Sequence, residues 1–122
     1  MHPNESAEDY LETILKLSKE LPVVRSVDIC NELNYKKSSV SVAMKHLREK
    51  GHITVSDAGF ITLTPSGKEI ADMIYERHLF FTTWLKELGI EEETAKEEAC
   101  KLEHDLSHES FEAIKKFVNS HR

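Results

Sequence analysis

Just after Gly51 in this 122-residue chain the hydrophobic period changes, and that change limits the fold more than any other feature. Up to Lys50 apolar side chains return every three or four residues, the spacing of a helix face. From Ile53 to Thr64 they alternate with threonines, the spacing of a strand. In the first stretch, Leu11, Ile14, Leu15 and Leu21 predict a helix over residues 7–20, opened by a capping box of Ser6 and Asp9 and closed by Pro22. Ser26 then caps a short helix carrying Val27, Ile29, Cys30 and Leu33, which stops at Asn34, a residue that tolerates the left-handed conformation. A third helix over residues 37–50 turns Val40, Ala43, Met44 and Leu47 inward and ends at Gly51. Two short helices joined by a tight turn predict a helix-turn-helix. Ile53, Val55, Ile61 and Leu63, flanking Ser56-Asp57-Ala58-Gly59, predict a two-stranded hairpin beside it, a wing.

Helical spacing resumes beyond the wing. Ser66 and Glu69 form a capping box for the longest helix, whose stripe of Ile70, Met73, Ile74, Phe80, Phe81, Trp84, Leu85 and Leu88 ends at Gly89. A small wing cannot cover so much apolar surface, so the stripe is expected to pack on another helix and on a second subunit. Two more helices are predicted, over residues 94–106 and 108–120, the last turning Phe111, Ile114, Phe117 and Val118 inward. The expected fold is mainly α: a winged helix-turn-helix over residues 1–66, then an all-α dimerisation domain over residues 67–122. A composition of 39% hydrophobic and 31% charged residues sustains one modest core. Apolar runs are too short for a membrane span, and Met1-His2-Pro3-Asn4 has neither the basic nor the apolar region of a signal peptide, so a cytoplasmic location is expected. Cys30 and Cys100 are too few for a disulfide framework and are expected as thiols, Cys30 as a small core residue.

A formal net charge of −6 argues at first against a nucleic-acid partner. Its distribution removes the objection: residues 1–66 hold eight basic and nine acidic side chains, residues 67–122 eight and thirteen. Within residues 36–50, Lys36, Lys37, Lys45, Arg48 and Lys50 face Glu49 alone. On the third helix, Ser38, Ser41, Val42 and Lys45 fall opposite the inward face. Hydroxyls and a lysine suit phosphates and base edges, and an exposed valine suits a thymine methyl in the major groove. A solvated lysine-rich face is the plainer reading. The wing and the tight turn, which seat such a helix in a groove, favour DNA.

A second constellation lies farther on. Cys100, Glu103 and His104 stand at i, i+3 and i+4 on one helical strip, beside Ala95, Ala99, Leu102 and Leu106. Asp9 and Glu12 are three apart on the flank of the first helix, and His78 flanks the long one. Each has a plainer reading: a cap acid, a solvated charge, a partly exposed histidine, a small filler. Six oxygen, nitrogen and sulfur donors on three helices form the kind of set with which helical bundles bind a divalent first-row metal. His108 is a bystander, and His2, His46, His52 and His121 have no ligand-like neighbours. Residues alone also allow a winged-helix regulator that answers an organic ligand or none. An enzyme has little to stand on, because no glycine-rich phosphate loop, HExxH pair or nucleophile arrangement occurs.

Across nearly its whole length the chain resembles the diphtheria toxin repressor family of metal-dependent regulators, especially its short manganese-regulator branch. Glu8-Asp9-Tyr10-Leu11-Glu12, Ser26-Val27-Asp28-Ile29, Ser38-Ser39-Val40-Ser41, Leu63-Thr64-Pro65-Ser66-Gly67-Lys68, Arg77-His78 and Leu102-Glu103-His104-Asp105-Leu106-Ser107 carry the resemblance. The last two are its specific motifs. The resemblance implies a cytoplasmic homodimeric repressor of metal-homeostasis genes that binds a palindromic DNA operator with Mn2+ or Fe2+ as corepressor. It puts Asp9, Glu12, His78, Cys100, Glu103 and His104 at the metal, the wing and the third helix, with Lys36, Lys37, Ser38, Ser39, Ser41, Val42 and Lys45, on DNA, and the last three helices at the dimer contact. The ligand set is a hybrid: the manganese branch usually has a carboxylate where Cys100 stands, and the iron branch usually has methionine where Asp9 stands. A thiolate shifts preference toward softer ions, which brings in Zn2+. With the sequence ending at Arg122, and Thr82 and Lys96 where longer relatives need ancillary donors, one metal centre is expected, mononuclear or binuclear.

Overall fold

The computed structural model describes residues 5–122, with side chains from Ala7 onward. The Ser6 side chain, on which the cap reading depends, and residues 1–4, on which the signal-peptide reading depends, lie outside what is described. In order come α1 (Glu5–Glu20), α2 (Ser26–Leu33), α3 (Lys37–Glu49), β1 (Ile53–Val55), β2 (Ile61–Leu63), α4 (Pro65–Glu87), α5 (Glu92–Leu102) and α6 (His108–Ser120). They sort into two units, the residues up to Asp72 and Met73–Arg122, with the division inside α4. The mainly helical fold with a small two-stranded wing is the one the periodicity predicts. Among the described residues no helix is long and apolar enough to cross a membrane.

In the first unit α1 packs against α2, α3 and β2. Its burial is wider than one stripe, since every residue from Tyr10 to Leu15 is buried, Glu12 and Thr13 included. The turn between α2 and α3 rests on Asn34, which takes φ 57° and ψ 43° and closes α2 in the left-handed conformation. Ser26 is not the cap expected of it: it is the first residue of α2, and the Asp28 carboxylate accepts from the Arg25 backbone N–H at 2.8 Å. Val40, Met44 and Leu47 are buried as the helical spacing requires, and Ala43 is half-buried. The wing pairs Ile53 with Leu63, Thr54 with Thr62 and Val55 with Ile61. Gly59, at φ 84°, supplies the left-handed turn residue, and Ile61 N–H donates to Val24 O, tying the hairpin to the chain after α1.

The cap of α4 is shifted by two residues from the expected Ser66. Thr64 precedes the helix and its Oγ1 accepts from Gly67 N–H at 3.3 Å, while Pro65 takes the first helical position, where its missing N–H costs nothing. Gly67 is buried against the base of the wing, and a Cβ there would collide with the main-chain carbonyl of His52. Because the obstacle is backbone, the clash cannot be relieved by a rotamer change. Gly67→Ala is therefore expected to destabilise the first unit by about 1–3 kcal/mol. An unchanged urea midpoint would show that the wing yields freely.

In the second unit Phe81, Ala99 and Phe111 form the core, with Phe80, Trp84 and Leu106 packed on it. Phe111 meets Phe80 and Phe81 edge to face at centroid distances of 5.5 and 5.8 Å. The aromatic part of the α4 stripe is thus used inside its own unit. Leu79, Leu88, Ile90 and Leu102 remain exposed. Phe117, expected inward, is 63% exposed and stacks on His121 at 4.2 Å. Its neighbour Val118 takes the inner position, and one residue along a helix is a turn of about 100°. Helix α5 ends at Leu102, four residues before the expected stop, whereas α6 spans the expected residues with Ser107 Oγ accepting from Ser110 N–H.

Candidate metal centre and nucleic-acid interface

The second unit brings together four of the six expected ligands. Glu103 follows α5 directly, and with φ −64°, ψ −22° and its N–H on Ala99 O it continues the helical path one residue further. The i, i+3, i+4 relation of Cys100, Glu103 and His104 therefore survives, although the last two stand in the turn after the helix. One donor atom from each lies within 4.8 Å of the others. Glu103 is 0% exposed and His104 is buried, while Cys100 is exposed. From α4, His78 Nδ1 comes to 2.8 Å from Glu103 Oε2. His104 Nε2 lies 3.3 Å from Oε1 in an ion-pair contact without hydrogen-bond direction, so this buried oxygen makes no hydrogen bond. Burial works to raise the Glu103 pKa. The contacts to His104 and His78, with their positive charge, outweigh it and hold the carboxyl below the ordinary carboxylate range.

That buried oxygen tests whether the donors fit a cation. A carboxylate at the C-terminal end of α5 sits where the helix dipole is negative, an unfavourable place for an anion and a favourable one for a cation. An ionised, buried oxygen beside two imidazoles and a thiol at that end suits a divalent transition metal. Asp9 and Glu12 lie three residues apart on α1 in the first unit, Asp9 half-buried and Glu12 buried.

In the same unit, Lys36 just before α3 and Lys37, Ser38, Ser39, Ser41, Val42 and Lys45 on it are all exposed. Val42, at 54% exposure, has no packing role to explain it. Ser41 and Lys45 line a cavity of about 230 Å³ together with Ser26, Met44, Arg48 and Val55, where α2, α3 and the wing face one another. Arg48 belongs to the basic run of residues 36–50 and was not assigned to the interface; its i+3 spacing from Lys45 was the available signal.

Comparison with known proteins agrees with both halves. Residues 3–59 match the family description "Iron dependent repressor, N-terminal DNA binding domain", and residues 64–122 match "Iron dependent repressor, metal binding and dimerisation domain". An HTH-type transcriptional regulator of Methanocaldococcus jannaschii is 40% identical over 117 residues, covering 94% of each chain. The transcriptional regulator MntR of Salmonella typhimurium is 32% identical over 120 residues, covering 98% of this chain and 76% of that protein. Among solved structures, a manganese-dependent transcriptional repressor in complex with manganese superposes with a TM-score of 0.82 at 29% identity, covering 93% of this chain and 52% of that one. The manganese regulator SloR gives 0.81 at 28% identity, covering 98% and 55%. The chain spans about half the length of these two solved chains. It belongs to the iron-dependent repressor family, the diphtheria toxin repressor group of metal-dependent, DNA-binding transcriptional repressors.

Proposed function

We propose that the chain is a homodimeric cytoplasmic repressor of metal-homeostasis genes, a regulator and not an enzyme. It binds a palindromic operator when Asp9, Glu12, His78, Cys100, Glu103 and His104 hold a divalent ion. Mn2+ or Fe2+ is the expected ion, and Zn2+ also suits the donors. The observation that carries this reading is Glu103: a fully buried, ionised carboxylate between two imidazoles, with one oxygen left without a hydrogen bond. In the division expected from sequence, residues 1–66 read DNA and residues 67–122 bind metal and dimerise. The apolar side chains left exposed on the second unit, Phe117 and Leu88 foremost, supply a surface of the kind a second copy covers.

When bound, the ion supplies positive charge among acidic donors. The coupling resides in the chain. Two proposed donors, Asp9 and Glu12, stand on the helix against which α2, α3 and the wing pack, so ligation by both units constrains the DNA-reading head. Without a counter-charge, Asp9, Glu12 and Glu103 repel one another, and the head is free to leave the spacing that two half-sites about 34–36 Å apart demand. The coupling is reciprocal, so DNA tightens metal binding by the factor by which metal tightens DNA binding.

Fluorescence anisotropy at fixed salt tests it, with a labelled duplex selected from a random pool by the Mn2+-loaded protein. Operator affinity is expected to rise by about 5–150-fold with saturating Mn2+ or Fe2+ and to fall back on chelation. Equal affinities with ion and with chelator sink the corepressor reading and favour a winged-helix regulator that needs no metal.

A further inference from the structure

Two consecutive residues of α4 hold Glu103 at opposite ends. His78 meets its carboxylate at 2.8 Å; Arg77 reaches its main chain, with Nη1 donating to Glu103 O at 3.1 Å and to Leu106 O at 2.7 Å. Arg77 is only 4% exposed, an unusual place for a guanidinium. Among the described residues no carboxylate lies within ion-pair distance of it, and its Nε makes no hydrogen bond. Its carbon-flanked plane lies over the Phe111 ring, with Cζ 5.2 Å from the centroid. A charge buried without a counter-charge is costly, so a side chain placed this way needs a reason beyond filling space. The two carbonyls supply one: they bracket the four-residue turn from Glu103 to Leu106, the turn that presents Glu103 and His104.

We infer that Arg77 is a positioning residue for the metal centre, fixing the main chain of the ligand-bearing turn so that Glu103 and His104 keep their places whether or not an ion is bound. The inference rests on the reading of these residues as metal ligands. It follows from a difference between the two clamps on Glu103. The His78 contact is made through the side chains of two proposed donors, the groups an ion would draw on. The Arg77 contacts use only backbone oxygens, which lie outside the proposed set of side-chain donors. Of the two restraints, only that of Arg77 leaves every side-chain donor free to turn toward an ion. Nothing in helical periodicity marks the residue out, because on a buried face an arginine reads as an interruption.

The test uses the full chain and two variants, Arg77→Lys, which keeps the charge but is shorter and lacks the planar fork, and Arg77→Met, which keeps the length and loses both. Mn2+ affinity is read from the EPR signal of free ion, the ligand geometry from the visible spectrum of the Co2+-saturated protein, and the fold from far-UV circular dichroism and thermal melting in chelator. Arg77→Met is expected to weaken Mn2+ binding about 10–100-fold, the range for residues that orient metal ligands, with Arg77→Lys between it and the wild type. The Co2+ spectrum is expected to shift in both variants, which a merely structural role would not produce in saturated, folded protein. If Arg77→Met does not fold, Arg77→Lys decides. Wild-type Mn2+ affinity and an unshifted Co2+ spectrum in the folded variants overturn the positioning role and leave the metal reading standing. Failure of the wild-type chain to bind either ion overturns both.

Discussion

Replacing Glu103 with alanine is expected to abolish the metal response of operator binding while the helices stay folded. The side chain is the hub of the second unit's donors: one oxygen is 2.8 Å from His78, the other 3.3 Å from His104, and no solvent reaches it. Removing it deletes a ligand and the negative charge that favours a cation there, so the loss in Mn2+ affinity should exceed the roughly 100-fold upper range for residues that only orient ligands. The fold should suffer far less. A buried ionised carboxylate carries a large desolvation cost, and its removal relieves that cost, which offsets the loss of its contacts to His78 and His104. Arg77 still holds the turn through the carbonyls of residues 103 and 106. The melting temperature in chelator should therefore stay near the wild-type value, while the rise produced by Mn2+ disappears. Anisotropy titrations should give the variant one operator affinity, that of the chelated wild type, with or without ion. Retention of the wild-type Mn2+ midpoint by Glu103→Ala would remove this residue from the centre and with it the observation on which the proposed function rests.

Much of this was legible in the sequence because it depends on period and spacing. The change of period after Gly51 separates helices from wing, and an i, i+3, i+4 set stays on one strip whether or not its last members are still counted as helix. What spacing does not carry is how element ends are satisfied. Ser66 and Glu69 have the form of a capping box, yet Thr64 caps α4, because Pro65 is best placed at the first helical position and Gly67 must lie against the His52 carbonyl. Likewise α5 stops early without glycine or proline. The carbonyls of Glu103 and Leu106 are taken by Arg77 from another helix, and Ser107 is extended so that it can cap α6. Both causes are long-range. Phe117 shows the same limit for burial: it shares a helix with Phe111 and Val118, but only the position of the aromatic cluster decides which of them is covered within the chain. The mixed chemistry of the proposed ligand set is legible in Asp9 and Cys100 themselves, since donor chemistry is a property of residue type and not of packing.

Phe111→Ala is expected to produce the largest loss of stability, about 3–5 kcal/mol. The ring is 2% exposed and touches Phe80, Phe81 and the Arg77 guanidinium together, with Lys115 Nζ 5.7 Å from its centroid. Truncation leaves a hole bordered by two rings that are themselves packed against α5 and α6, so collapse can fill it only by moving helices. It also strips the apolar face from under Arg77, and a buried guanidinium with half its surroundings gone has reason to draw water into the core. Against a total of roughly 5–15 kcal/mol for a folded domain, a loss of this size leaves a substantial unfolded population on modest warming. The turn that carries Glu103 and His104, proposed as metal ligands, hangs on the same residues, so on that reading the deficit is partly reversible. If the folded form alone binds Mn2+, an ion concentration a hundredfold above its dissociation constant contributes about 2.7 kcal/mol and should recover much of the lost midpoint in urea. Phe111→Leu, which keeps most of the volume and loses the ring face, should fall between the alanine variant and the wild type. Equilibrium urea unfolding in chelator and in saturating Mn2+ measures all four quantities. A loss below about 1 kcal/mol for Phe111→Ala in chelator would place the core of the second unit elsewhere, since burial this complete does not permit so small a cost.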